Sequence, residues 1–183
     1  SLCARINELQ EWFAGRNVNL KMINLGGGLG IDYENPDTMP LFDEYFYLIN
    51  EMVELRKGQE IHIEPGRSVV GQCGSLISKV LYIKQGANTT FAILDAGMND
   101  LIRPALYQAR HKIENLTSDG DPSRYDVVGP ICESADVFGK YIEMPKTSRG
   151  DLIAIRSAGA YGEAMASTYN LRDLPRAVFS DEI

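Results

Sequence analysis

The chain has 183 residues, 44% of them hydrophobic, with 25 acidic against 18 basic side chains and a formal charge of -7 at pH 7. That apolar content supports one or two domains with a real core, and an acidic balance without a Lys/Arg cluster argues against a nucleic-acid surface. With no run of eighteen apolar residues and no basic-then-apolar leader, neither a membrane span nor a signal peptide is expected.

The opening S-L-C-A-R-I-N-E-L-Q-E-W-F places Leu2, Ile6, Leu9 and Phe13 at helical spacing before Gly15, which predicts a helix over 2–14. No Met initiates it, so the expectation is a section of a longer protein. A strand at 21–25 runs into Gly26-Gly27-Gly28-Leu29-Gly30. A second helix is predicted over 39–57, with Pro40 in its first turn, Arg56 and Lys57 in its last, and Gly58 beyond. The strand E-I-H-I-E at 60–64 then closes on Pro65-Gly66, and such a βαβ unit implies parallel neighbours.

Within that strand Ile61 and Ile63 share one face, while Glu60, His62 and Glu64 share the other. A doubly wound sheet is covered on both sides and reads apolar throughout. Alternation therefore favours an α/β barrel, with His62 filling the lumen and Glu64 at the C-terminal rim, where such barrels carry their sites. Trp12 and the Phe42–Tyr47 aromatics fall at helical spacing and are expected in the core.

After Arg67 the texture turns β-rich, with runs at about 68–84, 89–95, 111–116, 125–129, 151–157 and 176–180, broken by turns such as Asp119-Gly120-Asp121-Pro122. One short helix is predicted over 160–168, and Tyr125, Tyr141 and Tyr169 are expected to pack by their rings. The architecture predicted is α/β plus all-β: the end of an α/β barrel over 1–66, then a β domain over 67–183. Cys3, Cys73 and Cys132 are odd in number and form no C-x-x-C pair, which suggests reduced thiols in a cytoplasmic protein. Only His62 and His111 offer imidazole, so no metal site is expected.

The glycines match neither common phosphate motif. From Gly26 the third position of G-x-G-x-x-G falls on Ile31, from Gly28 it falls on Tyr33, and G-K-[ST] is absent. What remains is a glycine turn at a barrel strand end, which either binds a phosphate through its amides or is a plain turn. The next strand end, Glu64-Pro65-Gly66-Arg67, adds a carboxylate, another bare amide and a guanidinium. An acid beside a phosphate clamp is what a pyridoxal phosphate ring needs.

G-G-G-L-G, E-P-G-R, D-A-G-M-N-D-L-I-R-P-A-L-Y, G-P-I-C-E-S-A-D and G-A-Y-G-E-A-M-A-S-T-Y-N occur in this order. From about residue 20 onward the chain resembles the diaminopimelate decarboxylase family, within the fold-type III group that also holds ornithine and arginine decarboxylases and alanine racemase. The resemblance implies the last strands of a (β/α)8 barrel followed by a β-barrel or β-sandwich domain like that of alanine racemase. It implies pyridoxal 5'-phosphate as cofactor, held by Gly26, Gly27, Gly28, the Gly66 amide, Arg67 and the Tyr161 hydroxyl, with Glu64 at the pyridine nitrogen. Arg67, Arg103 and Tyr107 would bind a substrate carboxylate, with Tyr161 beside the substrate as well. Cys132 would serve proton transfer and Glu133 the distal ammonium. The C-E-S loop would enter the partner subunit's site, implying a homodimer.

The implied reaction is decarboxylation of meso-diaminopimelate to L-lysine. That substrate carries an ammonium and a carboxylate at its far end, matched by a fixed anion and a fixed cation. The family's Schiff-base lysine lies on an early strand, and no lysine here stands in a matching motif, so these 183 residues are expected to be inactive alone and prone to association. Two alternatives stay open: a decarboxylase for ornithine, arginine or a carboxylated polyamine precursor, and a non-catalytic binding homologue.

Overall fold

The computed structural model describes residues 1–182, which divide into two compact units: 1–31 with 39–69, and 32–38 with the described residues from 70 onward.

In the first unit, helix α1 (Leu2–Ala14) starts on the Ser1 hydroxyl and stops at Gly15, whose amide donates to Glu11 O. Its inward face differs from the predicted stripe. Cys3 and Ile6 pack on the core and Gln10 is buried, while Leu2 and Leu9 stay exposed. The choice is made by hydrogen bonds rather than hydropathy. Asn7 Nδ2 donates to Met52 O, and Gln10 Nε2 donates to Glu54 O.

Strand β1 (Met22–Asn24) and strand β2 (Glu60–His62) pair in parallel, with Ile23 opposite Ile61. Helix α2 (Phe42–Met52) connects them and is shorter than the predicted 39–57. It ends where Val53 turns extended and buries its side chain, and Glu54 N then donates to Asn7 Oδ1. Ile23, Leu25, Ile49 and Val53 form the core, with Ile61 and Ile63 packed against it as their alternation predicted. Two expectations fail: Trp12, Phe46 and Tyr47 are exposed, and so is His62, whose Nε2 lies 3.5 Å from Glu60. Trp12 is covered by the Arg16 guanidinium instead, 3.7 Å from its ring centre.

The second unit is built on a six-stranded sheet of order β5-β8-β3-β4-β6-β7, with β3 (Leu76–Gln85), β4 (Thr90–Leu94), β5 (Ile113–Asn115), β6 (Pro122–Val128), β7 (Val137–Pro145) and β8 (Leu152–Ile155). Among the described residues of this sheet only β4 and β6 pair in parallel. The edge strands β5 and β7 meet: a side chain on Gly139 would sit 3.3 Å from Ile113 Cδ1. The sheet is thus curled and nearly closed around Val80, Leu94, Val127, Ile153 and Ile155. Short helices α3 (Arg67–Val70) and α4 (Arg103–Tyr107) precede and follow the first hairpin.

The β pattern over 89–95, 111–116, 125–129 and 151–157 holds, but three expectations do not. Residues 67–70 are helical, and 176–180 form no strand. The predicted helix over 160–168 shrinks to one 3-10 turn, Glu163–Met165. Strand β7 was missed because Gly139, two charged residues and Pro145 obscure its alternation, yet Phe138 and Met144 point inward. Tyr125 is buried and its hydroxyl accepts from Thr147 N, whereas Tyr141 and Tyr169 are exposed, contrary to expectation. Tyr141 is left-handed beside the β6 bulge, where its amide donates to Asp126.

Candidate active-site groups

In the first unit the two parallel strand ends carry the glycine turn and the E-P-G-R turn side by side. The ladder continues past the strands, through Leu25 N to His62 O at 2.9 Å and Glu64 N to Gly26 O at 2.8 Å. A methyl on Gly27 would lie 2.8 Å from Glu64 O, so only glycine admits this approach. Gly26 and Gly28 have φ of +68° and +124°, which glycine adopts without strain. Space is open where their side chains would be.

Asn24 ties the two turns together. Its Nδ2 donates to Glu64 Oε1 at 2.6 Å, and its Oδ1 accepts from Gly26 N at 2.8 Å. The Gly26 amide is thereby engaged, while the Gly27 and Gly28 amides meet no protein acceptor among the described residues. Tyr45 caps the turn from outside by donating to Gly27 O. Gly66 is exposed and its carbonyl accepts from Val69 N, and the half-buried Arg67 opens α3. Sequence reasoning passed over Asn24, although an Asn two residues before a left-handed glycine is a turn signal.

In the second unit Arg103 opens α4 and is 7% exposed, with its Nε–H lacking an acceptor. Its guanidinium lies 5.9 Å from the Tyr33 ring centre, 5.9 Å from Tyr107 and 5.3 Å from Tyr161. The predicted helical turn does bring Arg103 and Tyr107 together, although Tyr107 is exposed where Arg103 is buried. Tyr161 holds a left-handed backbone in a tightly packed loop: a side chain on Gly159 would overlap Val70 O, and one on Gly162 would overlap Ala158 O.

Tyr33 arrives on the 32–38 segment, which the sequence did not single out. Arg156 binds Asp37 at 2.7 Å, Gln72 donates to Pro36 O and Thr38 O, and the Tyr33 ring meets the His111 ring edge-on at 5.0 Å. His111 Nδ1 lies 2.9 Å from Arg156 O, so the neutral ring carries its proton there and Nε2 is a buried acceptor without a partner. Burial, reinforced by the Arg103 charge, pushes its pKa below the ordinary 6.5.

Cys132 and Glu133 are both exposed, on a loop anchored by buried Ile131 and Asp136. The Glu133 carboxylate accepts from Ala135 N at 3.4 Å. The D-A-G-M-N-D stretch is a second fixed turn: Asp95 accepts from Ser78 and Lys79 N, and Asp100 accepts from Gly97 N and Asn99. No group of three or more His, Cys, Asp or Glu side chains is placed to hold a metal among the described residues, and no helix among them is long and apolar enough to cross a membrane.

Residues 31–159 match the model of the pyridoxal-dependent decarboxylase C-terminal sheet domain. The chain belongs to the pyridoxal-dependent decarboxylase family. Among curated proteins it is 61% identical to a diaminopimelate decarboxylase of Bacteroides thetaiotaomicron, over all of this chain and 48% of that protein. It is 45% identical to one of Helicobacter pylori, over 92% of this chain and 42% of the other. Among solved structures, diaminopimelate decarboxylase from Helicobacter pylori complexed with L-lysine superposes with a TM-score of 0.79 at 43% identity, covering 91% of this chain and 41% of that one. The chain spans about half the length of the curated relatives it matches. In this family the curled β5–β7 sheet is the C-terminal sheet domain.

Proposed function

We propose that this chain is the C-terminal part of a diaminopimelate decarboxylase, which converts meso-diaminopimelate to L-lysine and carbon dioxide in the cytoplasm. The observation that carries this reading is the abutment of the glycine turn and the Glu64–Arg67 turn on neighbouring parallel strands. Identity to enzymes of that name supports the substrate, and three free cysteines support the compartment.

The residues present fit pyridoxal phosphate. Gly27 and Gly28 offer amides with no protein acceptor among the described residues, with open space beside Gly28 where a side chain would stand. They would hold the phosphate together with the Gly66 amide, while Gly26 shapes the turn. The Glu64 carboxylate, oriented by Asn24, would meet the pyridine nitrogen and favour its protonated form. When bound, the cofactor supplies the electron sink that loss of carbon dioxide from an amino acid requires.

The second unit supplies the substrate contacts. Arg103 is a buried cation with an idle donor and tyrosine rings around it, suited to a carboxylate. Tyr107 and Tyr161 border the same group, and in the first unit Arg67 offers a guanidinium of its own for a substrate carboxylate. The bond to the departing carboxylate breaks and a proton takes its place on carbon, delivered by the Cys132 thiol. Glu133 binds the distal ammonium. Both side chains are exposed at a loop tip, which supports their reaching the site of a second copy in a homodimer. The (β/α)8 barrel, of which β1, α2 and β2 are the last part, supplies the Schiff-base lysine.

The test uses the full-length protein. It is expected to develop a visible absorbance band with pyridoxal phosphate, to release lysine from meso-diaminopimelate, and to leave ornithine almost untouched. Turnover of ornithine in preference would overturn the substrate, and absence of the band would point to a binding homologue.

A further inference from the structure

The loop bearing Cys132 and Glu133 is closed by one carboxylate. Asp136 is 4% exposed. Its Oδ2 accepts from Ile131 N at 2.6 Å, and its Oδ1 accepts from Met98 N at 2.7 Å. Its backbone completes the closure, through Asp136 N to Glu133 O and Gly129 N to Asp136 O, both at 3.1 Å. A side chain on Gly129 would overlap both carboxylate oxygens. Met98 lies in the turn that Asp100 shapes and that leads directly into α4 and Arg103. One side chain thus fastens two motif segments that are more than thirty residues apart.

Two amides converging on one residue from separate segments require two acceptor oxygens. A carboxylate supplies both, whereas an asparagine would turn its NH2 toward one of the amides. The arrangement is held against a cost, since burial pushes the Asp136 carboxyl up and the two amide bonds only partly offset it. A loop needing closure alone would be served by apolar packing, without a desolvated charge.

We propose that Asp136 is a positioning residue for the decarboxylation, setting the Cys132–Glu133 loop in register with the turn that delivers Arg103. The catalytic side of this statement rests on the function proposed above.

The test compares wild type, Asp136→Asn, Gly129→Ala and the double variant in the full-length enzyme. Asp136→Asn is expected to lower kcat/KM for meso-diaminopimelate roughly 10- to 100-fold, the loss of one hydrogen bond to a charged group. The visible absorbance of bound cofactor stays unchanged, because Asp136 touches none of its ligands. Alkylation of Cys132 by iodoacetamide, followed on its own peptide by mass spectrometry, changes several-fold in rate. Gly129→Ala reproduces both effects, and the double variant is no worse than the more impaired single one, because both act on the same carboxylate.

Wild-type kcat/KM and alkylation rate in Asp136→Asn would overturn the proposal, as would effects of the two substitutions that multiply. Amide exchange gives an arm that needs no variant. Met98 and Ile131 amides should be protected in the wild type despite lying in loops, and free exchange of either refutes the clamp. If the wild type fails to decarboxylate, the functional reading falls, while alkylation and exchange still decide what Asp136 does.

Discussion

Replacing Arg103 by methionine should stabilise the ligand-free chain. The guanidinium is almost wholly buried, its Nε–H lacks an acceptor, and no ion pair involves it among the described residues. An unsatisfied buried donor costs about 1–3 kcal/mol, and desolvating an unpaired charge adds to that. The tyrosine rings at 5.3–5.9 Å lie near the outer limit of cation–π attraction and return roughly 0.5 kcal/mol each. Methionine keeps most of the length and the packing, so the balance favours Arg103→Met by about 1–2 kcal/mol. The unfolding midpoint of the second unit should rise by roughly 3–8 °C, read by near-ultraviolet circular dichroism. In the full-length enzyme the same change should weaken substrate at least about 100-fold, because a carboxylate loses its cation. A drop in midpoint of several degrees would refute the reasoning. It would mean the guanidinium serves the fold and is not reserved for a ligand.

Gly27→Ala should separate the two strand ends, since its methyl would press on the Glu64 carbonyl at 2.8 Å and that neighbour is backbone. The expected cost is about 1–3 kcal/mol in urea unfolding, with pyridoxal phosphate affinity of the full-length protein reduced at least tenfold. Unchanged affinity would show that the turns are not a cradle. For pH, His111 has its folded pKa depressed below 6.5 by burial and by the Arg103 charge. Its stabilising contribution is therefore full above pH 6.5 and is lost as pH falls from there through the folded value. Asp100 and Asp136, raised by burial above 3.8, contribute with the opposite slope. The check is the difference between wild type and His111→Asn in midpoint against pH. It should grow as pH rises toward 6.5 and then level off, and parallel curves would contradict it.

The sequence by itself determined what acts within a few residues. The helix over 2–14 with its Gly15 stop, the βαβ order, the alternation of Ile61 and Ile63, and the turn linking Arg103 to Tyr107 all follow from backbone preference and spacing. The five motifs likewise contained Glu64, Arg103, Cys132 and Asp136 as letters, and the chemistry of those letters suggested an acid, a cation and a thiol. Only the tertiary structure decided which of them is buried and what each one touches. Gln10 faces inward in place of Leu9 because partners forty-odd residues away accept its amide. Strand β7 exists because β6 offers it an edge. Asp136 is a clamp, and Arg103 a buried charge with an unused donor, only because distant segments meet around them. Local rules fix φ and ψ, but burial and hydrogen-bond partners are set by pairings that spacing along the chain does not record.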